Sequence, residues 1–460
     1  MVSSLKEIMY GGLNAMIAHR SMMSLTTKNI SNANTPGYSR QRANFIAHNA
    51  PGMAVTAGVP QAVRAKFIQS SILGSRQSFG FNQGQTDILR VIEPTLNDLD
   101  GNGISQALSD FFGSVNEVAT NPAGLSERQD LVHKARFLAH TLNSSSSTLT
   151  HAREAAHLEA KDTVGEINAI VAELAKLNQQ IVDHFGKGTQ GEALIDQRNQ
   201  LLNQLSEKVG ISVLPVDGTS VSVFLKGGPA LLSSTIPNKL RVTGGGNSAL
   251  GLEIESLSGS ITKTTIPLSG RLGGLFQARD VTGKQVLEDL DQMAFGLVTA
   301  VNTLHQAGFG LDGSTGNTFF EPLVAATGAA QGIAVSSVIE NNPNKIAAAK
   351  VDTLLPGDNS NMLDWVALQD DATVVAGGKT VSEAYDQIVS RVSNDLRSAE
   401  GQAYFESNRL NNLETLRDSV SSVSIQEEMV ALSQFEHGYQ AASRLVKVAD
   451  DLYETVLRMV

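Results

Sequence analysis

The sequence predicts an α+β multidomain fold with three parts: a discontinuous terminal α-helical, coiled-coil-like layer, a mostly helical middle domain and a small β-rich inserted domain. Three observations predict it. Apolar residues recur at helical spacing at both ends of the chain, and similar spacing fills most of the interior. After Gly210, short alternating apolar runs separated by glycine-rich turns interrupt the helical pattern. We place the domains at residues 1–45 plus 423–460, 46–209 plus 269–422, and 210–268.

The N-terminal segment predicts a helix whose apolar stripe has a seven-residue spacing. Its helical pattern must end near residue 31, because the residue before a proline avoids helical conformation and asparagine and glycine favour turns. Gly37 follows the proline in a turn where a positive φ is expected. The stripe consists of Met9, Met16, Met23 and Ile30, and the turn contains Asn32, Asn34, Pro36, Gly37 and Tyr38.

The middle of the chain, from about residue 60 to 209, predicts mainly helix. Leu131, Ala135, Leu138 and Leu142 follow a three-four pattern that continues through a run of serines, so we interpret residues 144–147 as helix and not as a linker. Further helices are predicted at residues 194–209, 286–304 and 381–420.

The inserted domain is predicted from strand-like alternation. Ile211 and Val213, and then Val221, Val223 and Leu225, alternate with polar residues, and DG, GG and GGG sequences separate the runs. This is the chemistry of strands joined by tight turns.

The last segment carries a sustained heptad pattern. A terminal helix with such a stripe needs a partner, and the N-terminal helix is the first candidate. Amphipathic helices usually pack within their own domain. The position of the stripes at both extremes of the chain, and the narrowness of the C-terminal one, favour an assembly interface. The C-terminal stripe consists of Ile425, Leu432, Tyr439, Val446 and Tyr453, with Phe435 in the interleaved set.

Composition excludes several functional classes. The 460 residues include 46 acidic and 35 basic side chains, a formal net charge of −11, and a negative surface repels nucleic acid and anionic membranes. The lack of cysteine excludes disulfides and thiolate chemistry. The first thirty residues do not form a secretory signal, and no apolar run predicts a membrane span. We expect a protein that is cytoplasmic or exported by a route that reads no such signal.

No motif predicts catalysis or a metal site. His133 and His140 are seven residues apart, which is not the spacing of two metal ligands on a helix. Residues 308–313 match GxGxxG, but they follow a helix and do not join a strand to a helix, so a turn is expected. Asp312 is not followed by the alternating acids of a calcium loop. We therefore predict no cofactor, no metal and no enzymatic activity.

Several stretches resemble one known family. Residues 29–41, NISNANTPGYSRQ, resemble the signature that follows the first helix of flagellar rod, hook and hook-associated proteins, and the segment from Glu427 resembles the C-terminal signature of that axial family. The SRQ continuation after PGY is similar to the hook-associated proteins of the junction between hook and filament. Interior stretches agree: ATNPAGLSERQDLV from Ala119, IDQRNQLLNQLSEKVGISV from Ile195, SGRLGGLFQARD from Ser269 and VNTLHQAGFGLDGSTGNTFF from Val301.

The resemblance implies a structural subunit in which both chain ends pair as an innermost helical layer. It implies export unfolded through the flagellar type III apparatus, with a chaperone on the C-terminal helix, and residence in the extracellular flagellum. The implied partners are other copies in a ring at the hook tip, the hook protein and a second junction protein on the filament side. The chain is short for the family. After the LDGSTGNTFF stretch, it has only a brief segment before a strand expected at Ile333.

Two alternatives stay open at this point. A hook or distal rod protein of the same axial family would share the terminal signatures. A peptidoglycan-cutting enzyme of flagellar assembly would need a pair of carboxylates in a cleft, and the sequence nominates none.

Overall fold

The structure is a computed structural model that describes residues 2–47, 55–97, 101, 103–186, 191–265 and 268–458. Long helices dominate this part of the chain, which confirms the predicted fold class. The helices are α1 (Val2–Ser31), α2 (Lys66–Leu96), α3 (Ile104–Thr120), α4 (Leu125–Gly186), α5 (Glu192–Lys208), α6 (Gly270–Phe276), α7 (Gly283–Ala307), α8 (Ala329–Gly332), α9 (Ser337–Asn341), α10 (Ser360–Ala367), α11 (Val381–Ser421) and α12 (Ile425–Arg458).

Within the described ranges, the strands are antiparallel and fall into four small sheets. Two two-stranded ribbons, β1–β4 and β2–β3, follow α1; a four-stranded sheet, β5-β6-β7-β8, and a three-stranded sheet, β11-β10-β9, follow α5. The strands are β1 (Gln41–Arg42), β2 (Phe45–Ala47), β3 (Val55–Ala57), β4 (Gln61–Ala62), β5 (Ile211–Val216), β6 (Ser220–Leu225), β7 (Ala230–Ser233), β8 (Ile236–Pro237), β9 (Lys239–Gly245), β10 (Ser248–Glu255) and β11 (Ile261–Thr264).

The helical core is organised around α4, a helix of 62 residues. Leu131, Leu138 and Leu142 are fully buried, as the three-four pattern requires, and the serine run lies inside the helix as predicted. The same hydrophobic cluster continues from α3 and α7 into the inner faces of the larger sheets. The central body, which we define as α2 to α11 with β5 to β11, is therefore built around one large core, and a smaller cluster of Ile68, Ile72 and Leu410 joins the start of α2 to α11.

Asparagines on α4 attach the sheets to the helix. Asn168 donates to the carbonyl of Leu240 at 2.9 Å and accepts from its N–H at 2.8 Å, as a neighbouring strand would. Asn178, fully buried, donates to the carbonyls of Val221 (2.8 Å) and Ser234 (2.6 Å). Buried edge groups of the sheets are thus satisfied by side chains of the helix.

A short π-helical segment, Gln277–Thr282, joins α6 to α7 and holds the tip of the β9–β10 hairpin. Arg279, with no exposed side-chain surface, donates to the carbonyl of Gly246 at 2.7 Å. Asp280 accepts the N–H of Leu250 at 2.8 Å. The extra residue of a π-turn changes the direction of the side chains that follow it, and here it presents this pair to the hairpin.

Residues 308–380 form an irregular segment with short helices, where side chains replace strand partners. Asn302 accepts the N–H groups of Phe319 and Phe320, both at 2.9 Å. The strand expected at Ile333 is wrong: Ile333 follows α8, and its carbonyl accepts a hydrogen bond from the side chain of Asn143 at 3.2 Å. The nearest strand-like feature is an isolated bridge between Phe320 and Val335.

Other predicted elements coincide closely with observed ones. The helices expected at residues 194–209, 286–304 and 381–420 correspond to α5, α7 and α11, and the alternating runs correspond to β5 and β6. The short ribbons before α2 were not predicted. The domain boundary placed after residue 45 falls inside β2, whereas the boundary before residue 423 coincides with the break between α11 and α12.

Candidate assembly interface

The two terminal helices, α1 and α12, pack along each other as a pair, here called the terminal pair. Two glycines allow the close approach. A Cβ atom at Gly12 would lie 2.7 Å from Val446 Cγ2, and one at Gly438 would overlap the ring of His19. Small residues at such crossings let backbones approach, because no side chain separates them.

An aromatic cluster covers the base of the pair. The ring of His19 lies 5.0 Å from that of Phe45 in β2 and 6.4 Å from that of Phe435 in α12, and the two phenylalanine rings are 6.1 Å apart. Burial lowers the pKa of His19, so the neutral ring is favoured. The first ribbon is thereby packed against both terminal helices.

A buried polar network joins α1, the turn after it and α12. Asn29, 1% exposed, donates to the Gln41 carbonyl (2.9 Å) and to Glu428 Oε2 (3.0 Å), and accepts from the Tyr38 hydroxyl (2.9 Å). Arg40 forms ion pairs with Glu428 and Glu427, both at 2.6 Å. Burial, with Asp196 and Glu428 nearby, raises the pKa of Tyr38 to about 12. The network fixes the direction in which the chain leaves α1.

The turn itself has the predicted conformation. Gly37 has φ +77°, which confirms the expected positive value, and the Tyr38 N–H donates to the Thr35 carbonyl at 3.2 Å. The side chain of Gln200 in α5 donates to the Pro36 carbonyl. A Cβ atom at Gly37 would collide with that glutamine, so both backbone and contact require glycine.

The strand that follows the turn is anchored to the central body through Asp196 of α5. Its carboxylate accepts the Ser39 N–H (3.0 Å) and hydroxyl (2.9 Å) and pairs with Arg64 at 2.8 Å. Arg64 also pairs with Glu192 at 2.5 Å. Charge-assisted bonds therefore join the segment after the turn to both neighbours. Arg40 connects it to α12, and Ser39 connects it to α5.

The predicted interface residues lie on α1, on the turn after it and on α12, and they differ in exposure. Five of the C-terminal ones, Leu432, Phe435, Tyr439, Val446 and Tyr453, are half-buried, whereas Ile425 is 45% exposed. The N-terminal stripe, Met9, Met16, Met23 and Ile30, is also half-buried. Of the turn residues, Asn32 and Tyr38 are half-buried, and Asn34, Pro36 and Gly37 are exposed.

The most buried face of α1 lies one residue away from the predicted stripe. It contains Ala18, Met22, Thr26 and Asn29, all at most 4% exposed. The sequence argument missed them because small and polar residues carry little hydrophobic signal. The three-four spacing of these four residues was the sequence feature that could have identified them.

The terminal pair leaves a second apolar surface exposed, here called the outer face. On α1 and α12, large apolar side chains are 45–61% exposed although they lie on helices that are already paired. Two clefts of about 550 and 420 Å³ run along the pair, and Ile8 and Leu445 line both. The outer face consists of Ile8, Tyr10, Leu13, Ile17, Met429, Val430, Leu445, Val448 and Leu452. Exposed apolar side chains around such clefts favour a surface for another protein or segment.

The described residues offer no alternative metal centre. Within them, no group of three or more His, Asp or Glu side chains is arranged to hold a metal ion. Asp312 accepts the Ser314 N–H at 3.0 Å, which confirms the predicted turn in the GxGxxG segment. His305 donates from Nδ1 to the Asn317 carbonyl (2.7 Å) and accepts the Ala347 N–H at Nε2 (3.2 Å). No described helix is long and apolar enough to cross a membrane.

Comparison with known families gives two matches. Residues 89–320 match the family model described as the helical domain of flagellar hook-associated protein FlgK. Residues 418–459 match the model described as the C-terminal region of flagellar basal body rod proteins FlgEFG. The first covers α3, α4, α5 and all the larger sheets, and the second covers α12.

Individual relatives agree over nearly the whole chain. The chain is 25% identical to flagellar hook-associated protein 1 of Bacillus subtilis over 96% of both chains, and 22% identical to that of Escherichia coli over 100% of both. Among solved structures, it is similar to the flagellar hook junction protein FlgK of Burkholderia pseudomallei, with a TM-score of 0.67 and 15% identity, over 76% of this chain and 100% of that one. The structural likeness supports the fold alone.

Proposed function

The chain belongs to the FlgK family of flagellar hook-associated proteins, and from this premise we propose that it is the structural subunit that forms the junction between hook and filament. It is part of the extracellular flagellum, and filament assembly depends on it. The family is a structural one.

One observation supports the proposed mechanism. The terminal pair is firmly attached to the central body, yet it exposes the outer face. Arg40 and Asp196 fix the pair in position. A hydrophobic surface held in a fixed orientation pays little entropy when a neighbour covers it. This is the property required of a subunit that adds to a growing end.

The partners follow from the position in the flagellum. We propose that the outer face, together with the turn around Pro36 and Gly37, contacts neighbouring copies in a ring at the hook tip, the hook protein below and the second junction protein above. We propose further that the chain is secreted through the flagellar type III apparatus. An export chaperone would cover α12, whose exposed apolar residues favour aggregation before assembly.

The domain division also belongs to the proposal. Residues 1–45 with 423–460 would form the assembly layer, 46–209 with 269–422 the helical core domain, and 210–268 the β-rich domain. The placement of the β1–β4 ribbon supports extending the assembly layer to about residue 62, because Gln41 pairs with Ala62 and Arg42 with Gln61.

Substitution of the outer face tests the function. Leu445→Gln with Val448→Gln removes two side chains that are 48% and 57% exposed, and glutamine preserves helix propensity. In a strain that lacks its own copy, we expect normal secretion, hooks without filaments by electron microscopy, and an unchanged melting temperature of the purified protein. Val324→Gln, at a fully exposed apolar residue far from α12 in sequence, is the matched control and should support normal filaments.

Full-length filaments in the double variant, with secretion intact, would contradict the assignment of the outer face to assembly. Secretion is measured in the same strains, because loss of export would imitate loss of assembly.

A further inference from the structure

A cleft of about 450 Å³ lies where the start of α2, helix α5 and the turn between β5 and β6 meet. We propose that this cleft binds a carboxylate carried on a short apolar stem, with Arg198 of α5 as the cation that pairs with it. All the residues that line the cleft belong to one chain, so binding there does not depend on the proposed role at the junction.

Arg198 is a buried guanidinium without an acidic partner among the described residues. Its side chain lines the cleft, and the residue is 8% exposed. Nη1 donates to the Thr219 carbonyl at 2.8 Å and to Asn178 Oδ1 at 3.3 Å, and Nε is buried without a hydrogen-bond partner. Burial, with Arg64 nearby, lowers its pKa to about 10. A buried cation in this state gains strongly from an anion, because its lost hydration is otherwise uncompensated.

Among the described residues, one carboxylate lines the cleft, and it is already engaged. Asp196 accepts two hydrogen bonds from Ser39 and pairs with Arg64 at 2.8 Å. Arg417, at the other side, pairs with Asp418 at 2.7 Å. Lys66 also lines the cleft, but it is exposed, whereas Arg198 is buried. Arg198 is therefore the buried lining cation whose charge the described carboxylates leave unmatched.

The walls of the cleft determine what kind of anion fits. Apolar side chains from three elements line it, and an apolar stem would displace water from them. A phosphate group would instead call for several cations free to converge on it, whereas Arg64 and Arg417 of the lining are already paired with carboxylates. A planar carboxylate suits a single guanidinium, since both are flat and pair through two parallel hydrogen bonds. The apolar lining consists of Leu73, Ile195, Leu202, Val213, Pro215 and Val221.

A carboxylate ligand in the cleft would affect the connection between the terminal pair and the central body. Gly37 and Ser39, which begin the exit from the turn, also line it. A ligand there would contact this exit segment and α5 together, and would hinder movement of one against the other.

Hexanoate is the probe for the test, titrated into the full chain by isothermal calorimetry with hexanol as the uncharged analogue. We expect saturable binding of hexanoate and at least about tenfold weaker binding of hexanol, since a charge-assisted pair contributes about 1.5–3 kcal/mol. Arg198→Gln should abolish the preference for the acid. Equal binding of acid and alcohol, or no binding of hexanoate, would overturn the proposal.

Ser70→Leu keeps the test valid if Arg198→Gln does not fold. Ser70 is exposed on α2 and lines the cleft, so leucine there should fill it while Arg198 stays in place. Ser71→Leu is the matched control, since both hydroxyls donate to the Phe67 carbonyl but Ser71 is not part of the lining. We expect binding to be lost in the first variant and retained in the second. Unchanged binding in Ser70→Leu would place the acid elsewhere and refute the site.

Two natural sources of the carboxylate are separated by a ligand series. If the site receives an acidic side chain of a neighbouring subunit, N-acetylglutamate methylamide should bind at least as tightly as hexanoate. If it receives a free aliphatic acid, affinity should rise from butanoate to hexanoate and exceed that of the glutamate derivative.

Discussion

The central body and the terminal pair are both built from long amphipathic helices, yet they bury their apolar residues to very different extents. In α4, Leu131, Leu138 and Leu142 have no exposed surface. In α1 and α12, the buried apolar side chains among those described are Ala18, Met22 and Ala449. The central body therefore completes its core within a single chain, whereas the terminal pair leaves apolar side chains exposed, which we propose a neighbour covers.

The largest effect is expected where the core is complete. Leu138→Ala removes a fully buried side chain from the cluster around α4 and should lower the free energy of unfolding by about 2–5 kcal/mol. Urea denaturation followed by circular dichroism measures the change. A loss below about 1 kcal/mol would mean that the central body is as loosely packed as the terminal pair.

Acid should weaken the central body through His305. Burial, with Arg128 nearby, lowers the pKa of His305 to about 4 from 6.5. The neutral ring is thus favoured in the folded chain, so its contribution is complete above pH 6.5 and is lost as pH falls from 6.5 to about 4. The loss should reach roughly 3 kcal/mol at most.

Denaturation at pH 7 and pH 4.5 measures this loss, with His305→Gln as the comparison. Glutamine can still donate and accept but does not titrate, so the difference between the two pH profiles isolates the histidine. Profiles that run parallel through this interval would exclude His305 as the cause.

An intermediate effect is expected at the joint between the two regions. Gly37→Val forces a β-branched residue into a positive φ and against Gln200, at a cost of about 1–3 kcal/mol. Hydrogen exchange should speed up in residues 32–41 while the amides of α4 stay protected. Gly313→Val has a similar φ of +76° but open space around its Cβ, so it measures the backbone strain alone. Equal effects of the two variants would show that the contact with Gln200 contributes nothing.

The smallest effect on stability is expected on the outer face. Leu452→Ala makes the same chemical change as Leu138→Ala, but Leu452 is 50% exposed, so unfolding should shift by less than about 0.5 kcal/mol. Filament number per cell should nevertheless fall. A stability loss comparable with that of Leu138→Ala would erase the distinction between the two regions.

The sequence predicted the elements whose stabilising residues are apolar and periodic. The C-terminal stripe through Tyr439 and Val446 lies half-buried on α12, and its role in assembly stays a prediction, whereas the helices of the central body followed from leucine spacing. The N-terminal stripe also stays a prediction, and the face of α1 that is buried within the chain uses Ala18, Thr26 and Asn29, which a hydrophobic pattern does not mark.

Elements held by side-chain hydrogen bonds could not be predicted in this way. The irregular segment after α7 depends on single side chains, such as Asn302 and His305, that bind backbone groups far away in sequence. The polar network of Arg40, Asn29 and Glu428 joins positions about 400 residues apart, and its members carry no local signal. The sequence did not indicate Arg198 either. Its charge is unmatched because no described acidic side chain pairs with it in the folded chain, and the sequence alone does not show this.

The length of α4 has a mechanical consequence. At 62 residues it extends about 93 Å, and it can stretch only by breaking its own backbone hydrogen bonds. Its asparagines grip the sheets along one stretch, while its leucines are embedded in the helical core along another. The helix therefore transmits a torque applied to either region to the other with little deformation of its own. Under rotation, torque would pass between the terminal pair and the central body through the segment from Pro36 to Gln41, whose bonds to Gln200, Asp196 and Glu428 make it a stiff coupling.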